Sequence, residues 1–334
     1  MSSCAAMCSE YIDCFVNSFS VRKMPDPVAK PRIVVGLGEL LWDLLPSGKQ
    51  LGGAPANFAY ISSLFGNRSV VASRVGADTL GDAALDRVTT LGLEDGCVQR
   101  DQCRATGTVG IEIDKHGQPT FTIFENVAWD HLEWTPDWQK LAADADVVCF
   151  GSLAQRSEDS RNTILLFLKT TREDALRIFD VNLRQSYFSR EVLTGSLELA
   201  DVAKLNDAEL PLVLASCGLP VRNELENARV LRLEFDLELV CVTRGGHGSL
   251  LISETESNAH PGYQVTVSDT IGAGDAFTAA LAHHFAQGES LATINRIANR
   301  VGSWVASLPG ATPRISREEF HQQFMTPGGI GQLS

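Results

Sequence analysis

The sequence predicts an α/β fold built on a parallel sheet, and three features carry that expectation. Short apolar runs rich in β-branched residues recur along the middle of the chain, at Ala145–Ser152, Ala175–Asp180, Val202–Leu205 and Leu239–Thr243. Helix-length polar or amphipathic segments separate them, the alternation that lays parallel strands side by side with helices on the faces. Polar residues gather just past the strand ends, in Asp180–Arg184, Asn206–Glu209 and Thr243–Gly248. Open α/β sheets bind ligands beyond the carboxyl ends of their strands, so the third feature also says where a site belongs.

The elements follow in chain order. Residues 1–30 hold Cys4, Cys8 and Cys14 but no basic start, long apolar core or membrane-length run, so they read as an atypical, poorly ordered extension. Arg32–Gly38 is a β-branched strand ending in glycine, followed by Glu39 and Asp43. Its Gly36-Leu37-Gly38 lacks the third glycine and the helix of a dinucleotide fingerprint. Gly52 and Gly53 let a ligand approach the backbone closely, and Asn57 heads an apolar helical run to Phe65 that Gly66 ends. Asn57 has a donor and an acceptor for vicinal hydroxyls, or serves simply as a helix cap. Val71–Gly81 is assigned no catalytic role. Thr106–Asp114 and Thr120–Glu125 alternate about a turn at Gly117 and form a hairpin. Tyr263–Ser268 alternates like a half-buried strand, Ala276–Phe285 is rich in helix formers, and Ile294–Leu308 has helical apolar spacing. The tail 326–334, with Pro327-Gly328-Gly329, reads as flexible.

The chemistry is concentrated in Asp269–Phe277, a strand-to-helix turn containing Gly272-Ala273-Gly274-Asp275. Glycines there bring backbone amides close to a ligand, and the start of a helix favours negative charge, so an oxyanion or phosphoryl group would fit. Asp275 is an odd companion for an anion site unless it accepts a proton, which makes it a candidate general base aimed at a hydroxyl. A plain turn with a first-turn carboxylate is the competing account of these four residues alone.

Asp-Thr-Ile-Gly-Ala-Gly-Asp-Ala-Phe resembles the C-terminal signature of the ribokinase-like (phosphofructokinase B type) sugar kinases, and Gly52-Gly53-Ala-Pro-Ala-Asn57 resembles the family's N-terminal motif. The likeness covers about residues 31 to 322 and is strongest to fructokinases, through the opening Glu39–Asp43 and the Asp180-x-Asn182-x-Arg184 segment. It implies a three-layer, doubly wound, mostly parallel sheet in one kinase domain, 31–325. A small β lid from about 39–50 and 104–126 would close over a sugar. By resemblance, Asp275 is the base, and Gly272, Ala273 and Gly274 form the anion hole. Asp43, Gly52, Gly53, Asn57, Glu125 and Arg184 bind sugar. Asn182, Asn206, Glu209, Thr243, Gly245, Gly248, Asn299 and Gly302 border ATP, with Gly302 leaving room for adenine. Asn206-x-x-Glu209 would organise Mg²⁺ through water, although the same pair is also a capping box. Asp269, Thr270 and the loop around Ala306 to Gly310 correspond to a K⁺ site. Val181 stands where the family often has proline. The implied activity is ATP-dependent phosphorylation of a sugar hydroxyl, with fructose first. 2-Keto-3-deoxygluconate comes next, ribose or a nucleoside after it, and a sensor without turnover is the non-enzyme reading. Dimerisation through the lid strands is a family habit.

Composition agrees. The chain has 334 residues, of which 44% are apolar, enough for one large core. A net charge of −13 argues against a nucleic-acid partner. Nothing in the sequence suggests a membrane, and the eight cysteines lack any close pair of ligand-spaced motifs, so Cys97, Cys103, Cys149, Cys217 and Cys241 read as buried reduced thiols of a cytoplasmic protein.

Overall fold

The computed structural model describes residues 30–45, 48–113 and 119–325; the expectations about the N-terminal extension, the Gly117 turn and the tail lie outside them. Its strands are Ile33–Leu37 (β1), Leu41–Leu45 (β2), Gly48–Gly52 (β3), Arg68–Gly76 (β4), Val98–Asp101 (β5), Gly107–Ile113 (β6), Pro119–Ile123 (β7), Val147–Gly151 (β8), Leu176–Asp180 (β9), Val202–Asn206 (β10), Leu239–Thr243 (β11), Ser249–Ser253 (β12) and Ser257–His260 (β13). The helices are Ala54–Leu64 (α1), Thr79–Thr90 (α2), Pro136–Asp144 (α3), Glu158–Thr170 (α4), Arg190–Leu197 (α5), Glu209–Cys217 (α6), Glu224–Glu234 (α7), Ala273–Phe285 (α8), Leu291–Ala306 (α9) and Arg317–Phe324 (α10).

Nine described strands form one sheet in the order β13-β12-β11-β10-β9-β8-β1-β4-β5. All pairs from β11 to β5 are parallel, while β12 and β13 extend one edge antiparallel. The chain leaves β1 toward β4 on one side and later enters β8 on the other, so a topological switch point lies between β1 and β8. A crevice opens at such a point beyond the strand ends. The second sheet runs β3-β2-β6-β7, with β2 and β6 parallel and the other two pairs antiparallel.

Strand side chains alternate between two apolar layers. Val34, Cys149, Ile178 and Val202 pack toward α1, α8 and α9, while Val35, Val148, Phe179 and Ala203 pack toward α3 to α7. This is the three-layer α/β arrangement that the sequence implied, with helices covering both faces of a strand set too apolar to face water.

Two expectations need correction. Tyr263–Ser268 is not a strand; the edge position is filled by β13, and Pro261-Gly262 then turns the chain away. The segment keeps its alternation, but its end is held by Ser268 and Asp269, whose amides donate to the Ala306 carbonyl at 2.9 and 3.2 Å, with no partner strand beside it. Among the thiols, Cys149, Cys217 and Cys241 are buried, whereas Cys97 is only partly covered and Cys103 is exposed; all five are unpaired.

Candidate active site

Two helix starts meet at the crevice. Helix α1 begins after Gly53, whose φ of 110° is closed to most side chains. Asn57 therefore sits within the helix and does not cap it. It is 4% exposed and turned toward α8. Its Nδ2 donates to Oδ2 of Asp275 at 2.8 Å, joining residues 218 positions apart. The buried Oδ1 of Asn57 has no partner among the described residues, so one acceptor in the cleft is left for a ligand donor.

Helix α8 opens at Gly272, with φ 77° and no capping side chain. Any side chain on Gly272 would also run into Ala311. The Ala273 amide leans on the Thr270 carbonyl at 3.3 Å, while the first-turn amides beyond it, including that of Gly274, have no acceptor within the helix. A Cβ on Gly274 would lie 3.1 Å from Nζ of Lys204. The turn is thus a bare backbone cradle of the kind that accepts a phosphoryl oxygen.

Asp275 follows in the same turn, partly exposed at the cleft floor with protein packed closely about its carboxylate. Burial raises its pKa to about 6; the Asp180 charge adds to the rise, and the Asn57 hydrogen bond, Lys204 and Arg184 oppose it. A base poised near the working pH is what proton abstraction asks for. Asp275 lines one cavity with Glu39, Pro55, Ser152, Asp180 and Asn182, which come from the ends of β1, β8 and β9 and the start of α1. That places it at the switch point.

Asp43 in β2 pairs in register with Gln50 of β3. Its carboxylate occupies the space a side chain on Gly52 would need, so Gly52 seats Asp43. Burial raises the Asp43 pKa, Arg184 opposes and Asp269 adds to it. Arg184 is exposed, and its charge is felt by Asp43, Glu39 and Asp275 alike, so all four face one cleft.

The remaining candidates divide. Asn182 lines the Asp275 cavity, with φ 42°. Asn206 and Glu209 exchange backbone hydrogen bonds at 2.8 Å each way, and the second Glu209 oxygen accepts from the Leu183 amide at 2.7 Å. Carboxylate lone pairs remain for water, so the pair fits a water-mediated Mg²⁺ site; it is not the capping box the sequence also allowed, because Ala208 holds the N-cap position of α6 and Asn206 lies two residues before it. Asp269 accepts from the amides of Ile271 at 3.0 Å and Gly310 at 3.2 Å, which brings the proposed cation residues Asp269, Thr270 and Gly310 together. Gly245 faces open space and Thr243 ends β11 beside it.

Other positions serve packing. Gly248 lies against the backbone of His260 and Gly262, so its missing side chain makes room for the chain as it leaves β13. The space at Gly302 is taken by Ala273 and Phe277 of α8, not by an open pocket for adenine. Asn299 commits its amide nitrogen to Ser249 and Asn295 in the core. Glu125 stands apart from the Asp275 cavity, accepting the Tyr187 hydroxyl at 2.7 Å beside Arg156 and His131.

Sequence reasoning passed over three residues. Glu39 is 4% exposed and accepts from the Ala54 amide at 3.2 Å; burial, with the Asp275 charge a smaller contribution, raises its pKa to about 7. Asp180 and Lys204 are both buried and paired at 3.0 Å. A lysine inside an apolar strand run was the available signal, because a buried ammonium requires a carboxylate.

Comparison with known proteins identifies the family. The profile of the pfkB family carbohydrate kinases matches residues 47–317. An uncharacterized sugar kinase of Pyrococcus horikoshii is 29% identical over 303 residues, covering 84% of this chain and 93% of that protein. Its structure in complex with ATP superposes with a TM-score of 0.72 at 28% identity, covering 87% of this chain and 97% of that one. A Klebsiella pneumoniae fructokinase is 31% identical over 257 residues, covering 73% of this chain and 81% of that protein. The Vibrio cholerae fructokinase with fructose, ADP and calcium bound superposes with a TM-score of 0.70 at 25% identity, covering 84% and 94%. The chain belongs to the pfkB family of carbohydrate kinases.

Proposed function

We propose that this carbohydrate kinase transfers the γ-phosphoryl group of ATP to a primary hydroxyl of fructose. The observation that carries the reading is the Asn57–Asp275 hydrogen bond, because it sets a hydroxyl-binding amide beside a base that adjoins a phosphoryl cradle. In the proposed reaction Asp275 takes the proton of the sugar hydroxyl as its oxygen attacks the γ-phosphorus in line. The new P–O bond forms as the bond to ADP breaks, and ADP leaves with the electron pair. The amides at Gly272–Gly274 face the charge that develops on the transferring group. Asp43, Asn57 and Arg184 hold the sugar, and the unpartnered Oδ1 of Asn57 accepts from one of its hydroxyls. Glu209 and Asn206 would hold Mg²⁺ through water, and the ion would supply charge neutralisation on the polyphosphate.

Closure of the β3-β2-β6-β7 sheet over the sugar would exclude water, which otherwise competes as acceptor. The same sheet is the candidate dimer contact, and Asp269, Thr270 and Gly310 the candidate K⁺ site. No helix among the described residues is long and apolar enough to cross a membrane. A 2-keto-3-deoxy acid is the second reading, favoured by the exposed Arg184 guanidinium at the cleft, which suits a carboxylate. Phosphorylation assays over fructose, 2-keto-3-deoxygluconate, ribose and adenosine decide it. Turnover highest with fructose supports the first reading; preference for the acid supports the second, and no turnover with any of the four removes both.

A further inference from the structure

Lys204 is placed where a lysine is expensive. It lies in β10 between Ala203 and Leu205, which face the α3–α7 layer, so its side chain runs to the opposite face, under α8. It is 8% exposed, and its Nζ donates to both carboxylate oxygens of Asp180 at 3.0 and 3.1 Å. The same Asp180 accepts from the Thr278 hydroxyl at 2.8 Å, one turn along α8 from Gly274. Removing two charges from water costs several kcal/mol per ion, and an apolar pair of similar volume is often as stable. A helix start also carries partial positive charge, so a cation beneath it is on the unfavourable end of the dipole. Stability alone gives little reason to bury an ammonium here.

A site that receives a polyphosphate and keeps an anionic base gives a reason. Besides Lys204, the groups that face Asp275 are the carboxylates of Asp180 and Glu39, the Cys149 thiol and the Arg184 guanidinium. Arg184 is exposed and screened by solvent, whereas Lys204 is fixed inside the protein. Its ammonium is held by both carboxylate oxygens of Asp180, the partner a buried cation requires.

We propose that Lys204 is a positioning residue for phosphoryl transfer: its ammonium, pinned by Asp180 beneath Gly274, keeps Asp275 in its carboxylate form and the first turn of α8 in place against the transferring group. The role deepens the kinase reading given above, and one of its readouts needs no turnover. K204M, K204R and D180N would be compared with the wild-type full-length protein. The measurements are the ¹³C carboxyl titration of Asp275, kcat and KM against pH on the sugar phosphorylated by wild type, and thermal unfolding. K204M should raise the Asp275 midpoint by about one pH unit, as loss of a close opposite charge does. It should also lower kcat by about 10- to 100-fold with little change in sugar KM, as expected when charge stabilisation at the reacting centre is lost. K204R should restore both in large part, and D180N should move the midpoint down, because it removes a like charge. A pair that only stabilises the fold would change the melting temperature without these opposed movements. An unmoved midpoint in K204M, or the same direction of movement in K204M and D180N, overturns the proposal. Should wild type phosphorylate no sugar, the substrate reading fails while the carboxyl titration still decides the role of Lys204.

Discussion

Glu39 and Asp275 line one cavity from opposite ends of the chain, and the Asp275 charge helps to push the Glu39 pKa to about 7. Burial is the larger cause for both, and Asp275 itself titrates near 6. Between pH 6 and 7 the two carboxyls therefore differ in charge, with Asp275 mostly ionised and Glu39 mostly protonated. Two like charges are not forced together while the base is ready to accept a proton.

Sugar phosphorylation should accordingly have an acid limb controlled by Asp275. Below a pKa of about 6 the base is occupied by a proton, so kcat/KM should fall about tenfold per pH unit and level off above it. Initial rates from pH 5 to 8 at low sugar concentration test this. A limb centred near 4 would mean an unburied carboxylate does the work.

Asp275→Asn should separate catalysis from stability. With the base gone, turnover should drop by about 10²- to 10⁴-fold while sugar binding persists. The native pKa, about 6, lies above the ordinary aspartate value of 3.8, so the native state binds the proton more tightly than the unfolded chain. Asp275 is least unfavourable to folding below pH 3.8, and its penalty grows as pH rises through 6. At pH 8 that penalty is on the order of 3 kcal/mol, and the asparagine removes it. The variant should therefore melt higher than wild type at pH 8, with the gap closing toward pH 4, as calorimetry at both values would show.

Asn57→Ala removes a hydrogen bond to a charged acceptor, typically about 1.5–3 kcal/mol. The Asn57 bond holds the Asp275 pKa down, so its loss should move the acid limb upward and raise the sugar KM as well. A variant with wild-type KM and an unmoved limb would remove Asn57 from the site.

Much of this was readable in the sequence because local chemistry and fold asked for the same residues. The four middle strands were legible from their apolar runs, and the Gly272–Asp275 turn from glycines placed ahead of a helix-forming segment. What failed depends on contacts between distant segments. Tyr263–Ser268 has the alternation of a strand, but pairing needs a neighbour, and β13 ends before it. Gly302 is small because α8 presses on α9, which spacing within one helix does not reveal. Asp180, Lys204 and Glu39 each look ordinary alone, and their meaning comes from sharing one crevice.

His283 should make the protein acid-sensitive far from the active site. It is 8% exposed, stacked on Phe65 with ring centroids 4.6 Å apart, and its pKa is lowered to about 3, chiefly by burial, with His284, Arg32 and His321 adding. Its place in the last turn of α8 would favour the charged ring, so burial outweighs the helix dipole here. The unfolded chain takes up the proton near pH 6.5 and the native state does not. The contribution of His283 is thus intact above 6.5 and declines as pH falls toward 3, by about 2 kcal/mol at pH 5. Asp275 and Glu39 gain stability on acidification, so the wild-type profile alone would mask the effect. Comparison with His283→Gln isolates it, since glutamine cannot be charged. Urea unfolding at pH 7.5 and 5.0 should show the difference between wild type and variant shifting by about 2 kcal/mol in favour of the variant at the lower pH. An identical difference at both values would show that His283 is protonated in the native state.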